Sequence, residues 1–367
     1  MKKSIAIILG TKAEAIKMAG IFRELDKRKI PYLFIHSGQH DLDDVLKTFN
    51  IRAPDVILNQ VNGFKTDTKK AGMWAINISI KLYKYLKSNP EIKYCLVHGD
   101  TQTTFCGAAI SKLVGKKVVH VEAGLRSGNI REPWPEDIIR RVVDKIAYIK
   151  FTPSEKCKNR LKGRVYNVGN TCFDALYYAL NLKEIPKSSF PEKYAVASIH
   201  RHENIKSKKR MQTIINILSM SQIPVYWFIH KNTIHKLKEY GLMNELKVYK
   251  NIRLVDPLNY ASFVQVLKNA QFVIIDGGSL QEECAELCVP CCVCRRTTER
   301  EELLDRPDQT LTKLNPIIAS EAIMKYSLPR EPYKLYNAYK QSKSASEQIV
   351  DVLLEKVRQT PKRKVFK

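Results

Sequence analysis

Three carboxylates, Asp100, Glu122 and Glu136, fall within one stretch of the chain, residues 96–141, each at a place where an element is expected to end or begin. Asp100 and Glu122 follow the apolar runs 94–97 and 118–121, which read as strands, and Glu136 follows Pro133 and Pro135 as the opening of a helix. In an open α/β sheet ligands bind beyond the carboxyl ends of the strands, so these acids are expected to share one cavity and to do acid/base work there. The structural alternative is that each caps a helix or pairs with a nearby arginine, Arg126, Arg131 or Arg140.

A second group lies in the other half. The motif DGGSLQEE, 276–283, is a glycine-containing turn that opens a helix. Backbone N–H groups and the positive dipole end at Gly278 and Ser279 suit a diphosphate, and Glu283, one turn in, suits a ribose hydroxyl. His200, Arg201 and His202 crowd one short polar loop after another strand, an arrangement for handling an anion unless the loop is merely a solvated surface.

These residues need a scaffold, and the chain alternates strand and helix signals. Strands are expected at 4–9 and 32–36, with helices at 13–29, 65–86 and 103–113 and further strands running into Asp100 and Glu122. After the turn at 166–171 come strands at 194–198, 224–229, 252–255 and 272–275, each ending in polar residues. Repeated βα units with apolar strands imply parallel sheets covered on both faces. At 367 residues the chain exceeds the size at which one core keeps growing. The expectation is an α/β protein of two halves facing each other across a cleft: an N-terminal domain 1–169 carrying the acids, and a C-terminal domain 170–343. The segment 344–367, helical to about 358, is expected to pack back on the first.

Composition narrows the classes. Hydrophobic residues make up 44%, and no apolar run approaches the roughly 20 residues that span a bilayer. Two lysines before a short apolar run imitate a signal peptide, but Lys12, Glu14 and Lys17 follow at once, so the run reads as a first strand and the expected compartment is the cytoplasm. The net charge of +25 raises nucleic acid or an acidic membrane as partners, yet the lysines are spread along polar helix faces. No nucleic acid is expected, and the basic tail 362–367 is the one dense cluster suited to weak contact with an acidic membrane. Nine cysteines are expected to be reduced. The cluster from Cys284 to Cys294 reads as a helix end, a turn and a buried strand rather than a metal site, with Cys291 and Cys292 on opposite faces. No G-x-G-x-x-G follows the first strand, so a nicotinamide fingerprint is missing.

The motifs GTKAEAIKM (10–18), HGDT (98–101), HVEAGLRS (120–127), PWPEDIIRR (133–141), HRHEN (200–204), DGGSLQEE and TTERE (297–301) together resemble the non-hydrolysing UDP-N-acetylglucosamine 2-epimerases. That resemblance implies two Rossmann-like domains in a GT-B-like arrangement, the nucleotide held mainly by the second, no metal or redox cofactor, and a homodimer. It further implies interconversion of UDP-GlcNAc and UDP-ManNAc by loss of UDP to 2-acetamidoglucal and re-addition. Asp100, Glu122 and Glu136 would be the acid/base group, His200 would assist the leaving phosphate, and Lys17, Arg140 and Arg300 would contact substrate. The chain departs from the pattern in places. Lys12 stands where the family has an arginine, and lysine cannot make its bidentate phosphate contact. The family's SGG is Gly277-Gly278-Ser279, Glu301 replaces a proline, and the GQH at 38–40 lacks its usual methionine, which puts allosteric activation in doubt. A hydrolysing epimerase releasing UDP and ManNAc, an epimerase of a modified nucleotide-HexNAc and a GT-B glycosyltransferase therefore stay open.

Overall fold

Apolar strands joined by amphipathic helices can bury both faces only as parallel sheets, and the chain builds two of them. The computed structural model describes residues 3–60, 68–128, 135–182, 190–329 and 343–359. The basic tail, Arg131, Pro133 and the expected helix start at 65 lie outside those residues. The chain divides into two compact units, one made of Met1–Leu125, Trp134–Ala175 and Gln341–Lys367, the other of Arg126–Pro133 and Leu176–Lys340. It passes from one to the other within the helix Thr171–Leu180.

In the first unit the described strands are β1 (Ile5–Leu9), β2 (Tyr32–His36), β3 (Val56–Ile57), β4 (Tyr94–His98), β5 (Lys117–Val121), β6 (Ile149–Thr152) and β7 (Val165–Asn167), in the order β3-β2-β1-β4-β5-β6-β7 and parallel throughout. Every residue of β1, β2 and β4 is buried, as a sheet covered on both faces requires. One core layer joins Ile8 and Val97 of the sheet to Leu82, Leu86 and Val143 of the covering helices.

Local chemistry sets the helix ends. Thr11 and Glu14 form a capping box, so the first helix starts at Lys12, one residue before the sequence reading, and it stops at Lys27 because Lys29 turns left-handed at φ 55°. Thr101 likewise caps a helix that begins at Gln102. The helix Ala345–Gln359 packs against Lys12–Lys27, and Asp174 Oδ2 accepts from Ser346 N at 2.7 Å and from its hydroxyl at 2.5 Å.

The second unit repeats the plan with β8 (Ala195–Ser198), β9 (Val225–Phe228), β10 (Ile252–Val255), β11 (Phe272–Ile275), β12 (Cys291–Val293) and β13 (Gln309–Leu311), ordered β10-β9-β8-β11-β12-β13 and parallel. Cys292 and Cys294 pack with Trp227 and Ile274 on one face, while Cys284 and Cys291 pack with Val273 and Ile275 on the other. The cysteines are free, and burial pushes the Cys294 thiol up to about 12, so they behave as small apolar side chains. No described helix is long and apolar enough to cross a membrane.

Leu353 is fully buried in the helix Ala345–Gln359. Leu353→Ala is expected to lower stability by about 2–5 kcal/mol in urea denaturation. A change near zero would show that this helix contributes nothing to the first unit's core.

Candidate active site

Both sheets reverse direction once. Successive connections run outward from β1 toward β3 and from β4 toward β7, so the loops leaving β1 and β4 diverge; β8 and β11 do the same in the second sheet. Such a switch point leaves a crevice at the strands' carboxyl ends, where doubly wound sheets bind ligands. In the first unit the loops at Gly10–Thr11 and Gly99–Asp100 border it, and Glu122 follows on the neighbouring strand β5.

The acids there are held by cations. Lys17, five residues into the first helix, reaches across the sheet end and donates from Nζ to Glu122 Oε1 at 2.6 Å, with both side chains buried. Glu122 itself has a left-handed backbone, φ 65°, a conformation that costs a non-glycine residue of this size on the order of 1 kcal/mol or more and aims the carboxylate back over β4. His98, the last residue of β4, places Nε2 3.5 Å from Glu122 Oε2. Burial pushes this imidazole down to about 3, against the attraction of Glu122 and with help from Lys17, His120 and Arg140. Asp100 is ion-paired with Arg140 of the helix Glu136–Ile146. Of the arginines that might have claimed it, Arg140 therefore does. Glu136 is the first residue of that same helix, half-buried, where the dipole favours a carboxylate. Lys12 stands apart: it is half-exposed and donates to Asp44 Oδ2 at 2.8 Å.

Two side chains that the sequence reading left without a role hold these loops. Glu14 is buried and accepts from Gly10 N (2.9 Å), Thr11 N (2.7 Å) and Thr11 Oγ1 (3.0 Å) on one oxygen, and from Thr101 Oγ1 (2.7 Å) and Thr104 Oγ1 (2.9 Å) on the other. It thus bridges the β1 and β4 loops at the switch point, and burial raises its pKa despite those donors. His120, fully buried in β5, lies with Nδ1 2.8 Å from Asp144 Oδ1 and Nε2 2.8 Å from the Gly99 carbonyl. Asp144 also accepts from Gly124 N at 3.3 Å, so one imidazole–carboxylate pair fixes the loops that carry Asp100 and Glu122. The T-x-x-E spacing of Thr11 and Glu14 signals the first; nothing local signals the pairing of His120 with Asp144, which depends on strand and helix packing.

In the second unit, His200 and Arg201 follow β8, and the glycine turn follows β11, on either side of that sheet's switch point. Asp276, fully buried, accepts from His200 N (3.1 Å), Arg201 N (2.9 Å) and Asn204 Nδ2 (3.0 Å), and its carboxylate lies 3.6 Å from His200 Nδ1. The His200 ring, 40% exposed, packs against His230 with centroids 4.7 Å apart. Partial desolvation, and then the charge of Arg201, push His200 below the ordinary histidine value. Gly277 is the N-cap of the helix Gly278–Glu286, which puts Gly278 and Ser279 in the first turn. Glu283 is buried and takes the Tyr260 hydroxyl at 2.9 Å. Arg300, also buried, forms a fork onto Glu282 with contacts of 3.0 and 3.2 Å.

Known proteins share this plan. The family model described as UDP-N-acetylglucosamine 2-epimerase matches residues 23–354. The UDP-N-acetylglucosamine 2-epimerase of Methanococcus maripaludis is 35% identical over 334 residues, covering 85% of this chain and 88% of that protein. The crystal structure of the Methanocaldococcus jannaschii UDP-GlcNAc 2-epimerase in complex with UDP-GlcNAc and UDP superposes with a TM-score of 0.85 at 30% identity, covering 96% of this chain and 99% of that one. The Neisseria meningitidis UDP-GlcNAc 2-epimerase bound to UDP-GlcNAc gives 0.78 at 28% identity, with 96% and 99% covered.

The buried His98 makes the fold acid-sensitive. Its ordinary value of 6.5 applies to the unfolded chain, and about 3 to the folded one, so acid protonates the unfolded state first. Stability from this group is intact above pH 6.5 and is lost as pH falls from there toward 3, by on the order of 5 kcal/mol in full. Urea denaturation across that range is expected to show the loss in the wild type and a flatter limb in His98→Gln. Proton NMR showing His98 titrating above pH 5 would contradict it.

Proposed function

The chain belongs to the UDP-N-acetylglucosamine 2-epimerase family, and on that premise we propose that it inverts carbon 2 of UDP-GlcNAc to give UDP-ManNAc by eliminating and re-adding UDP. The observation that carries this reading is the division of chemistry between the switch points: carboxylates beside cations in the first unit, and a histidine, an arginine and a glycine turn in the second.

The reaction asks for both sets. A carboxylate removes the proton at carbon 2; the C–H electron pair becomes the C1–C2 double bond of 2-acetamidoglucal, and the C1–O bond breaks with its electrons on the β-phosphate. UDP then re-adds at carbon 1 while a second acid delivers a proton to the opposite face of carbon 2. Asp100, Glu122 and Glu136 are the acid/base group in this reading. Lys17 and Arg140, bonded to Glu122 and Asp100, hold those carboxylates in place and offset their charge. His200 and Arg201 stabilise the negative charge that gathers on the leaving phosphate, and the first turn of the helix at Gly278 and Ser279 receives the diphosphate. The second unit holds the nucleotide. Complexes of two relatives with UDP-GlcNAc support that sugar nucleotide as the substrate to test.

Incubation with UDP-GlcNAc in deuterated water is expected to give UDP-ManNAc carrying deuterium at carbon 2, read by proton NMR, while phosphorus NMR shows no free UDP growing in proportion to product. Free UDP that tracks product would instead mark a hydrolysing enzyme. Asp100→Asn, which keeps the size of the side chain, is expected to lower turnover by roughly 10²–10⁴-fold. Full activity in that variant would remove Asp100 from the acid/base group.

A further inference from the structure

Beneath the glycine turn of the second unit lies a cluster of charged side chains of which the reaction as written uses only Arg201. Glu299 is at its centre. Its Oε1 accepts from Arg201 Nη2 at 3.2 Å and lies 2.9 Å from Arg300 Nη1, while Oε2 accepts from Arg295 Nη1 at 2.7 Å. The three arginines come from separate places: the loop after β8, the segment after β12, and the turn that follows it. Arg295 and Arg300 have side chains 0% and 4% exposed, and Arg201 is 19% exposed. Of the three, Arg201 is thus the one that an incoming anion meets, and the other two fix the carboxylate on which it leans.

The cluster also touches the helix directly. A Cβ on Gly278 would stand 2.7 Å from Glu299 Oε1 and 2.9 Å from Arg300 Nη1, so a larger residue there would push these side-chain ends aside. Arg201 is consequently held at both ends, its backbone N–H on Asp276 at 2.9 Å and its guanidinium on Glu299. A long arginine side chain otherwise loses considerable rotamer freedom when it binds a phosphate. An anion site with a buried carboxylate inside it looks self-defeating by charge alone, and the geometry resolves this: one carboxylate spaces three guanidinium groups that would repel one another and pre-aims the exposed one.

Building on the reading that the second unit binds UDP, we infer that Glu299 is a positioning residue for the diphosphate, acting through Arg201 rather than by touching substrate. The test compares UDP with uridine, which lacks the diphosphate. Calorimetry with UDP and proton NMR titration with uridine on the full chain are expected to show Glu299→Gln weakening UDP by about 10-fold or more, the scale of a lost charged hydrogen bond, with uridine changed less than about twofold. If Glu299→Gln fails to fold, Glu299→Asp, which keeps the charge but shortens its reach, is read the same way. Equal weakening of UDP and uridine would assign Glu299 a structural role only, and unchanged or tighter UDP would equally overturn the inference. A wild-type chain that binds neither ligand would overturn the nucleotide reading itself, and this inference with it.

Discussion

The reversal of each sheet between two neighbouring strands is the constraint on which the rest depends. Hydrogen bonding forces β1 and β4 to lie side by side, yet their outgoing chains must leave in opposite directions, so the space between their carboxyl ends cannot be filled by a connection. The first unit closes the bottom of that space with a side chain: Glu14 gathers five donors from the diverging loops. The second unit uses Asp276 between the β8 loop and the end of β11. Neither carboxylate has to meet a ligand, because each substitutes for backbone contacts that the topology forbids.

Above those anchors, charges are deployed in pairs. Leaving Lys17 or Glu122 buried alone would cost several kcal/mol, whereas together at 2.6 Å they cost far less. The same holds for Asp100 with Arg140 and for the arginines around Glu299. Pairing lets buried charged groups sit still, a setting that acid/base and phosphate chemistry both reward. Burial itself does the rest: between about pH 3 and 6.5, His98 stays neutral where an exposed histidine would be charged.

Much of this was legible in the chain. Continuous apolar runs and period-3.6 patterning located the strands and helices that were named to within a few residues, because fully buried strands have to be apolar along their whole length, while β3, β6, β7 and β13 went unread. The placement of Asp100, Glu122 and the glycine turn at strand ends followed from the same signal. The opposite faces of Cys291 and Cys292 followed from strand alternation, and they pack in separate core clusters. What could not be read were partnerships between residues far apart in sequence. Glu122 bonds Lys17 across 105 positions, and Arg201 reaches Glu299 across 98. No local rule selects those partners; they depend on how helices pack and where switch points fall. Lys12 illustrates the gap from the other side: its position in the motif suggested phosphate, while its ammonium donates to Asp44.

The left-handed backbone at Glu122 bears on how such a site changes over time. Glycine, and to a lesser degree asparagine or aspartate, adopts φ near 65° at small cost, whereas glutamate holds it under strain. Drift at this position is therefore lopsided: most replacements that relieve the backbone also remove or withdraw the carboxylate. Glycine here would relieve on the order of 1 kcal/mol of backbone strain but would leave Lys17 buried without the Glu122 carboxylate, so the single replacement is not downhill. The strained turn and the lysine are thereby locked to each other: the ion pair holds the backbone in its left-handed state, and only a change at both positions releases either one.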